Sequence, residues 1–213
     1  MWTQAALIIP AYLLGSVPFG LLIAKAHGLD LRKVGSGNIG ATNVSRALGR
    51  KWAYVCFILD TAKGLLPMLI VPAVCFSEKP TTPGQLTLWL LVGCAAILGH
   101  IFPLYLRFKG GKGVSTCLGV VLGLWPYYTL PGLIAFLAWA LALWLWRYVS
   151  LASILAALVF PLAMISLTIG IPEWKLSALW PLIIIAVLMP LLIIARHAEN
   201  IKRLLEGSES KIG

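Results

Sequence analysis

Acidic side chains are scarce in this sequence, and charged residues of either sign are few. Seven Asp and Glu residues stand against 17 Lys and Arg among 213 residues, and charged residues make up 11% of the chain. Hydrophobic residues reach 60%, and the mean hydropathy is +0.93. A soluble domain of this length does not combine so much apolar sequence with so few charges. The composition therefore predicts a polytopic, all-α membrane protein, with residues 1–213 forming a single integral membrane domain.

Cysteine is also rare, which excludes some kinds of site. The four cysteines lie in apolar segments, and no two of them have the spacing of metal ligands. We predict that they are small core residues, and we predict neither a metal site nor a cofactor. The net charge of +10 is better explained by orientation in the membrane and by an anionic ligand than by nucleic acid.

Long apolar segments make up most of the sequence. A spanning helix needs about 20 mostly apolar residues, and seven segments qualify or nearly qualify: Thr3–Ala24, Trp52–Phe76, Gln85–Leu106, Val114–Trp125, Tyr128–Trp146, Leu151–Gly170 and Leu176–Ala195. The fourth is short for a span and ends at Pro126. With seven spans, nearly all basic residues fall on one side, and only Lys79 and Lys175 fall on the other. This asymmetry predicts that the N-terminus is outside and the C-terminus is cytoplasmic.

A loop rich in glycine and lysine, Lys109–Gly113, precedes the predicted fourth helix. Glycines allow successive N–H groups to converge on an oxyanion, and a helix N-terminus favours anions. The loop predicts a phosphate cradle, although a basic turn at the membrane surface explains it equally well. It is not a nucleotide-binding P-loop, because Leu106 and Gly113 replace residues which that motif requires.

Three other polar clusters fall on the same predicted membrane face. Residues 35–46 contain the pattern G-x-G-x-x-G, but spanning helices flank it, so we reject a dinucleotide site. A turn leading into a helix near Thr42 remains. Ser150 lies where it can cap the sixth span, and residues 196–200 end the seventh. A capped surface helix, a helix cap and a basic helix end explain these clusters one by one, but a bundle would bring them into one cationic pocket.

Two further features lie inside predicted spans. His100 falls within the third span, where a histidine is usually a packing residue. Asp60 and Lys63 are three residues apart near the cytoplasmic end of the second span, so they can pair on one helix face. Because charges in a membrane are costly, we interpret this pair as a support of the pocket that does not itself react.

Together these motifs resemble the bacterial acyl-phosphate:glycerol-3-phosphate acyltransferases, the PlsY family. The resemblance covers nearly the whole chain and rests on four segments in the order of the family: 35–46, 99–113, 148–153 and 196–200. It implies a seven-span enzyme of the bacterial inner membrane with a cytoplasmic active site. It also implies transfer of an acyl group from acyl phosphate to the 1-position of glycerol 3-phosphate, forming lysophosphatidate for phospholipid synthesis. The implied functional partner is the enzyme that makes acyl phosphate from acyl carrier protein.

The resemblance also implies roles for single residues. Its catalytic residues would be Lys112, Arg46, His197, Asn200 and Ser150. Those that bind phosphate or substrate would be Ser36, Gly37, Asn38, Thr42, Asn43, Lys109, Gly110, Gly111 and Gly113, with Glu199 bracing the residues that hold glycerol 3-phosphate. Ser115 departs from the pattern, which has alanine there.

Two other classes of protein remain as alternatives. A transporter for a small phosphate anion would need polar groups near the midplane of the membrane and access from both faces. Here the polar groups crowd one face. A membrane adaptor without chemistry would not need so many converging glycines.

Overall fold

The computed structural model describes residues 6–76, 80 and 82–212. The regular secondary structure of these residues is helical, and no strand is found among them. The described residues form ten α-helices, which are α1 (Ile8–Gly15), α2 (Phe19–Ala26), α3 (Ala41–Leu48), α4 (Arg50–Cys75), α5 (Pro83–Ile101), α6 (Val114–Gly123), α7 (Thr129–Trp146), α8 (Val149–Gly170), α9 (Leu176–Ala195) and α10 (Ala198–Leu205). Short 3-10 helices cover Leu31–Lys33 and Leu104–Leu106. The predicted all-α fold is confirmed.

Six helical stretches of the described chain are long and apolar enough to cross a membrane: Ile8–Ala26, Arg50–Cys75, Pro83–Leu106, Thr129–Trp146, Val149–Gly170 and Leu176–Ala195. They coincide with six of the seven predicted spans. Helix α6, the predicted fourth span, has ten residues. At 1.5 Å per residue it is about 15 Å long, roughly half the thickness of a hydrocarbon core. The count of seven spans therefore stays a prediction.

The first span is not one continuous helix, which corrects the prediction of a single segment, Thr3–Ala24. Thr3 lies outside the described residues. Helix α1 ends at Gly15 and α2 begins at Phe19. Pro18 lies in the break and has no N–H to donate, so one hydrogen bond of a regular helical ladder is missing there.

The third span reaches its predicted end at Leu106, but its regular α-helix does not. Helix α5 stops at Ile101 instead of Leu106, two residues before Pro103, as expected where proline disfavours helical backbone in the preceding residue. The hydroxyl of Tyr12 in α1 donates a 2.7 Å hydrogen bond to the carbonyl of Phe102 and fixes this end. The remaining long helices begin and end within two residues of their predicted bounds.

The chain divides into two compact units. Unit 1 comprises the described residues of Met1–Pro80 and Leu88–Gly123. Within it, α4 and α6 approach so closely that glycine is required. A Cβ atom at Gly64 would overlap the Thr116 carbonyl oxygen, and one at Gly119 would overlap the Thr61 carbonyl oxygen. Small residues at such interfaces allow helix backbones to come together in membranes.

Unit 2 comprises the described residues of Thr81–Thr87 and Leu124–Gly213. In this unit α8 packs against both α7 and α9. The hydroxyl of Tyr128 donates to the carbonyl of Leu182 at 2.6 Å, and its ring meets Phe160 edge-on at 5.1 Å. The prediction of a single domain over the whole chain stays a prediction.

Candidate functional site

Asn43 organises the glycine-rich segment of unit 1. Its side-chain amide donates to the carbonyls of Leu31, Val34 and Asn38 at 3.1, 2.9 and 2.9 Å. Its Oδ1 accepts the backbone N–H of Ser36 at 3.0 Å. Asn43 is 1% exposed, so these bonds satisfy a buried amide and fix the turn from inside.

The outer edge of this segment is polar and accessible. The side chains of Ser36, Thr42 and Arg46 are exposed, and α3 begins at Ala41, close to the predicted start. A Cβ atom at Gly35, where φ is +59°, would lie 3.8 Å from Cδ of Arg46 and would overlap Oδ1 of Asn43, so both side chains face this turn, as predicted. One guanidinium and two hydroxyls thus belong to the same short segment.

Asn38 and Gly37 complete this turn. Both residues are half-buried. Oδ1 of Asn38 accepts the N–H of Gly40 at 2.9 Å, just before α3 begins. Gly37 has φ of +68°, a conformation that glycine adopts without steric cost.

The loop after α5 is closed by its own backbone. The N–H of Gly110 donates to the carbonyl of Ile101, and the N–H of Gly111 donates to the carbonyl of His100, both at 3.1 Å. A Cβ atom at Gly111 would overlap Nε2 of His100. Two amides that were expected to converge on an anion are therefore committed to carbonyls. The binding roles of Gly110 and Gly111 keep only the resemblance as support.

The two lysines of this loop differ in exposure. Lys109 is exposed, whereas Lys112 is half-buried immediately before α6. Gly113 is buried, has φ of +87° and accepts the first helical hydrogen bond from Cys117 at 2.8 Å. This places Lys112 at a helix N-terminus, as predicted, where the helix dipole favours an anion.

A buried ion pair joins α4 to the first span. Nζ of Lys63 lies 2.7 Å from Oδ1 of Asp60, which confirms the predicted pair, and both side chains are 2% exposed. Nζ of Lys63 also donates to the carbonyl of Val17 at 2.8 Å, beside the break between α1 and α2. Nδ1 of His100 lies 3.7 Å from the same Asp60 oxygen. The pair therefore supports both the broken first span and the histidine against which the glycine loop packs.

Ser150 in unit 2 has a different role from the predicted one. Helix α8 begins at Val149 with Tyr148 as its N-cap residue, so the prediction that Ser150 caps this helix is wrong. Ser150 lies in the first turn of α8, and its side chain contacts a carboxylate that is 59 residues away in the sequence. Its hydroxyl donates to Oε1 of Glu209 at 2.7 Å.

Glu209 gathers three side chains of unit 2. Its Oε1 also accepts Nδ2 of Asn200 at 2.6 Å, and its Oε2 accepts Nε of Arg203 at 2.7 Å. Burial raises the pKa of the Glu209 carboxyl, but hydrogen bonds from Arg203, Ser150 and Asn200 outweigh burial, so the pKa lies below its ordinary value. Glu199, the predicted brace, is exposed. The carboxylate that contacts Ser150 and Asn200 is that of Glu209.

His197 is held in one orientation. It is 2% exposed, and its Nδ1 donates to the carbonyl of Ile193 at 2.8 Å. A carbonyl oxygen only accepts, so this bond fixes the ring proton on Nδ1. In the neutral ring, Nε2 is then the nitrogen that can take a proton.

The predicted site residues divide between the two units, and we call those of each unit a group. The first group, in unit 1, consists of the Asn43 turn and the Lys112 loop, and the second, in unit 2, consists of Ser150, His197 and Asn200. Sequence reasoning missed Glu209 and Arg203, because Ser150 and Glu209 are 59 residues apart and no local pattern links them. In the part of the chain that the structure describes, no three His, Cys, Asp or Glu side chains are grouped to hold a metal ion.

Comparisons with known proteins identify the family. The model of the glycerol-3-phosphate acyltransferase family matches residues 5–207. This chain belongs to the glycerol-3-phosphate acyltransferase family. It is 45% identical to the glycerol-3-phosphate acyltransferase of Aquifex aeolicus over 210 residues, which are 96% of this chain and 97% of the relative. It is 44% identical to that of Geotalea daltonii over 99% of this chain and 98% of the relative.

Solved structures of the family agree with the fold. A crystal structure of PlsY (YgiH), an integral membrane glycerol 3-phosphate acyltransferase, in its glycerol 3-phosphate form has a TM-score of 0.83 and 42% identity. Its lysophosphatidic acid form has a TM-score of 0.79 and 41% identity, and both comparisons cover 99% of this chain and 96% of the other. The resemblance to the PlsY family is confirmed. The chain is an integral membrane acyltransferase of phospholipid biosynthesis.

Proposed function

We propose that this protein transfers a fatty acyl group from acyl phosphate to the 1-hydroxyl of glycerol 3-phosphate. The hydroxyl oxygen forms a bond to the acyl carbon, the bond from that carbon to the phosphate oxygen breaks, and the hydroxyl proton leaves on a base or on phosphate. The products are lysophosphatidate and inorganic phosphate. The donor is supplied by an enzyme that makes acyl phosphate from acyl carrier protein.

The observation that supports this proposal most is the likeness to PlsY over nearly the whole chain. PlsY was solved in a glycerol 3-phosphate form and in a lysophosphatidic acid form, which are the acceptor and product of such a transfer. Acyl phosphate as the donor rests on the resemblance of the four motif segments. Its leaving group is already good, so the enzyme has to align the hydroxyl and stabilise developing negative charge.

The two groups of residues are suited to different parts of this task. Lys112 and Arg46 supply positive charge for phosphoryl oxygens, with Lys109, Ser36, Gly37, Asn38 and Thr42 as further contacts. Ser150, His197 and Asn200 hold glycerol 3-phosphate. The hydroxyl proton goes either to Nε2 of His197 or to a phosphate oxygen of a substrate. Transfer is direct, because the activated donor makes an acyl-enzyme unnecessary.

We further propose that the reaction takes place at the cytoplasmic face of the bacterial inner membrane. The large excess of Lys and Arg on one side of the predicted topology supports a cytoplasmic C-terminus and an external N-terminus. Helix α6 completes the seven crossings in this arrangement. Without it, the Lys109 loop and Arg147 would fall on opposite sides of the membrane.

The test is formation of lysophosphatidate by purified protein from acyl phosphate and glycerol 3-phosphate. Acyl-CoA and acyl carrier protein thioesters serve as alternative donors, and Lys112→Ala serves as the inactive control. We expect product from acyl phosphate alone. Faster transfer from either thioester would overturn the proposed donor, and no transfer from any donor would overturn the proposed function.

A further inference from the structure

The C-terminal segment that follows α10, which we call the tail (residues 206–212), folds back onto the start of α8. The N–H of Ile212 donates to the carbonyl of Arg147 at 2.8 Å, and Nε of Arg147 donates to the carbonyl of Ile212 at 3.0 Å. Nζ of Lys211 lies 5.4 Å from the centre of the Tyr148 ring. These contacts fix the far end of the tail beside the residues that begin α8.

Between these anchors, the tail inserts one carboxylate into a set of donors. The side chain of Glu209 is 5% exposed, and its two oxygens accept three hydrogen bonds of 2.6–2.7 Å. The donors are Ser150 on α8 and Asn200 and Arg203 on α10. Hydrogen bonds this short to an ionised carboxylate are of the strong, charge-assisted kind.

The arrangement of these donors is that of an oxyanion site. A hydroxyl, a carboxamide N–H and a guanidinium from two helices meet at one small acceptor, and all three belong to residues inside the segment that matches the family model. That match ends at residue 207, two residues before Glu209. A carboxylate and the dianion of a phosphate monoester both accept hydrogen bonds without donating any, so the same donors suit either of them.

We propose that Ser150, Asn200 and Arg203 form the site for the phosphate of glycerol 3-phosphate, and that Glu209 of the tail occupies this site until the substrate displaces it. This inference rests on the proposed function, in which Ser150 and Asn200 hold glycerol 3-phosphate, and it adds Arg203 to them. The tail is then a competitor built into the chain. It reduces the apparent affinity for substrate by the fraction of molecules in which the site is open.

The first test compares Glu209→Ala with Glu206→Ala in the complete protein. Glu206 belongs to the same tail, but it is exposed and faces Lys202 at 3.9 Å, so its removal leaves the site unchanged. We expect Glu209→Ala to lower the KM for glycerol 3-phosphate by about tenfold without lowering kcat, because the competitor is gone. Glu206→Ala should keep the wild-type KM. A KM for Glu209→Ala that is unchanged or raised would overturn the proposal, since a carboxylate that merely positions Ser150 and Asn200 gives that result.

The second test does not depend on that variant or on catalysis. A nitroxide is attached to a cysteine introduced by Ser210→Cys, with the native cysteines replaced, and its mobility is measured by electron paramagnetic resonance. Glycerol 3-phosphate and inorganic phosphate should each mobilise the label, whereas glycerol should not. An immobile label in the presence of saturating glycerol 3-phosphate would overturn the proposal.

The two proposals can fail separately in these experiments. Tail release needs no acyl donor, so release without lysophosphatidate formation contradicts only the proposed function. Lysophosphatidate formation with a tail that stays immobile contradicts only the role of Glu209.

Discussion

At the scale of single residues, buried charge is the notable feature of this protein. Asp60 and Lys63 are 2% exposed, and the side chain of Glu209 is 5% exposed. Burial of an unpaired charge is very costly, so each of these groups has an ionic or hydrogen-bonded partner in the structure. The partners of Glu209 belong to the proposed phosphate site, whereas Asp60 lies 3.7 Å from His100, against which the glycine loop packs.

Lys112 is the residue on which the proposed chemistry depends most. Because it supplies charge at the N-terminus of α6, Lys112→Ala should lower kcat by about a hundredfold or more, which is the cost of removing a preorganised group that stabilises developing negative charge. Lys51→Ala is the control, since Lys51 is exposed at the start of α4 and lies over the ring of Trp52. Activity is measured alongside thermal unfolding. A folded Lys112→Ala protein with nearly wild-type activity would show that the phosphate-binding loop is misplaced.

The ionisation of Glu209 predicts a pH dependence for the tail. Because the pKa of this carboxyl is lowered in the folded protein, the docked tail is fully stabilised above the ordinary value of 4.5 and loses that stabilisation as the pH falls through the lowered pKa. A nitroxide at position 210 should therefore stay immobile from about pH 8 to about pH 5 and become mobile only at lower pH.

The same titration has a clear control. Glu209→Gln removes the ionisable group, so the mobility of a nitroxide at position 210 in this variant should not change with pH in this range. A midpoint of release above 4.5 in the wild-type protein would contradict the lowered pKa.

The ion pair in α4 should be a determinant of stability. Asp60→Asn leaves Lys63 buried without a carboxylate partner, and breaking a buried pair in this way costs about 3–5 kcal/mol. The measurement is unfolding in detergent. The combined change Asp60→Leu and Lys63→Met removes both charges and should restore most of the lost stability. The hydrogen bond from Lys63 to the Val17 carbonyl stays lost in that variant. A single Asp60→Asn variant as stable as the wild type would show that the pair contributes little.

At the scale of helices, glycine determines how α6 packs on α4. A Cβ atom at Gly119 would overlap the carbonyl oxygen of Thr61 and would lie 2.7 Å from the backbone N of Leu65. These neighbours are backbone atoms, which cannot avoid the overlap by changing rotamer as a side chain can. Helix α6 has only ten residues and therefore little surface for contacts with other helices. Its position in unit 1 depends on the close packing of Gly119 against α4.

This packing predicts opposite effects of one substitution at two glycines. Gly119→Ala should destabilise the protein by about 1–3 kcal/mol through overpacking. Gly170→Ala is the matched control, because a Cβ atom at the end of α8 meets nothing within 4 Å. It should be neutral or should stabilise the helix by up to about 1 kcal/mol. Equal unfolding temperatures for the two variants would contradict the tight approach of α4 and α6.

The same scale shows what sequence can and cannot predict. Hydropathy located six helical spans, because about 20 consecutive apolar residues identify a spanning helix without any tertiary information. It missed the break in the first span, although Pro18 is visible in the sequence, because membrane helices often continue through proline. The amides of Gly110 and Gly111 were assigned to an anion because a sequence does not show which carbonyls lie nearby. Glu209 was missed because its contacts with Ser150 and Asn200 are made only in the folded chain.

At the scale of the whole molecule, the distribution of Lys and Arg sets the predicted orientation in the membrane. The count of seven crossings depends on α6, whose length alone does not decide it. Ser77, which follows the second predicted span, lies outside the described residues, whereas Ser208 is exposed in the tail. The two positions belong to opposite sides of the predicted topology.

Single cysteines introduced at these two positions test the topology. In a background without native cysteines, Ser77→Cys should react with an impermeant thiol reagent from outside the cell, and Ser208→Cys should react only after the membrane is opened. Labelling of both from outside would overturn the arrangement of seven spans with a cytoplasmic C-terminus. Labelling after detergent treatment shows that each cysteine is reactive.

The break beside Pro18 has a consequence for how the chain enters the membrane during synthesis. The first span leaves the ribosome with a carbonyl at Val17 that is bonded in the finished protein by Lys63, from the following span. The second span in turn contains Asp60 and Lys63, which an isolated helix would expose to lipid at considerable cost. Each span therefore lowers the cost of inserting the other. The translocation machinery should release the two into the bilayer as a hairpin, so a nascent chain arrested after the first span alone should remain easier to extract from the membrane than one arrested after the second.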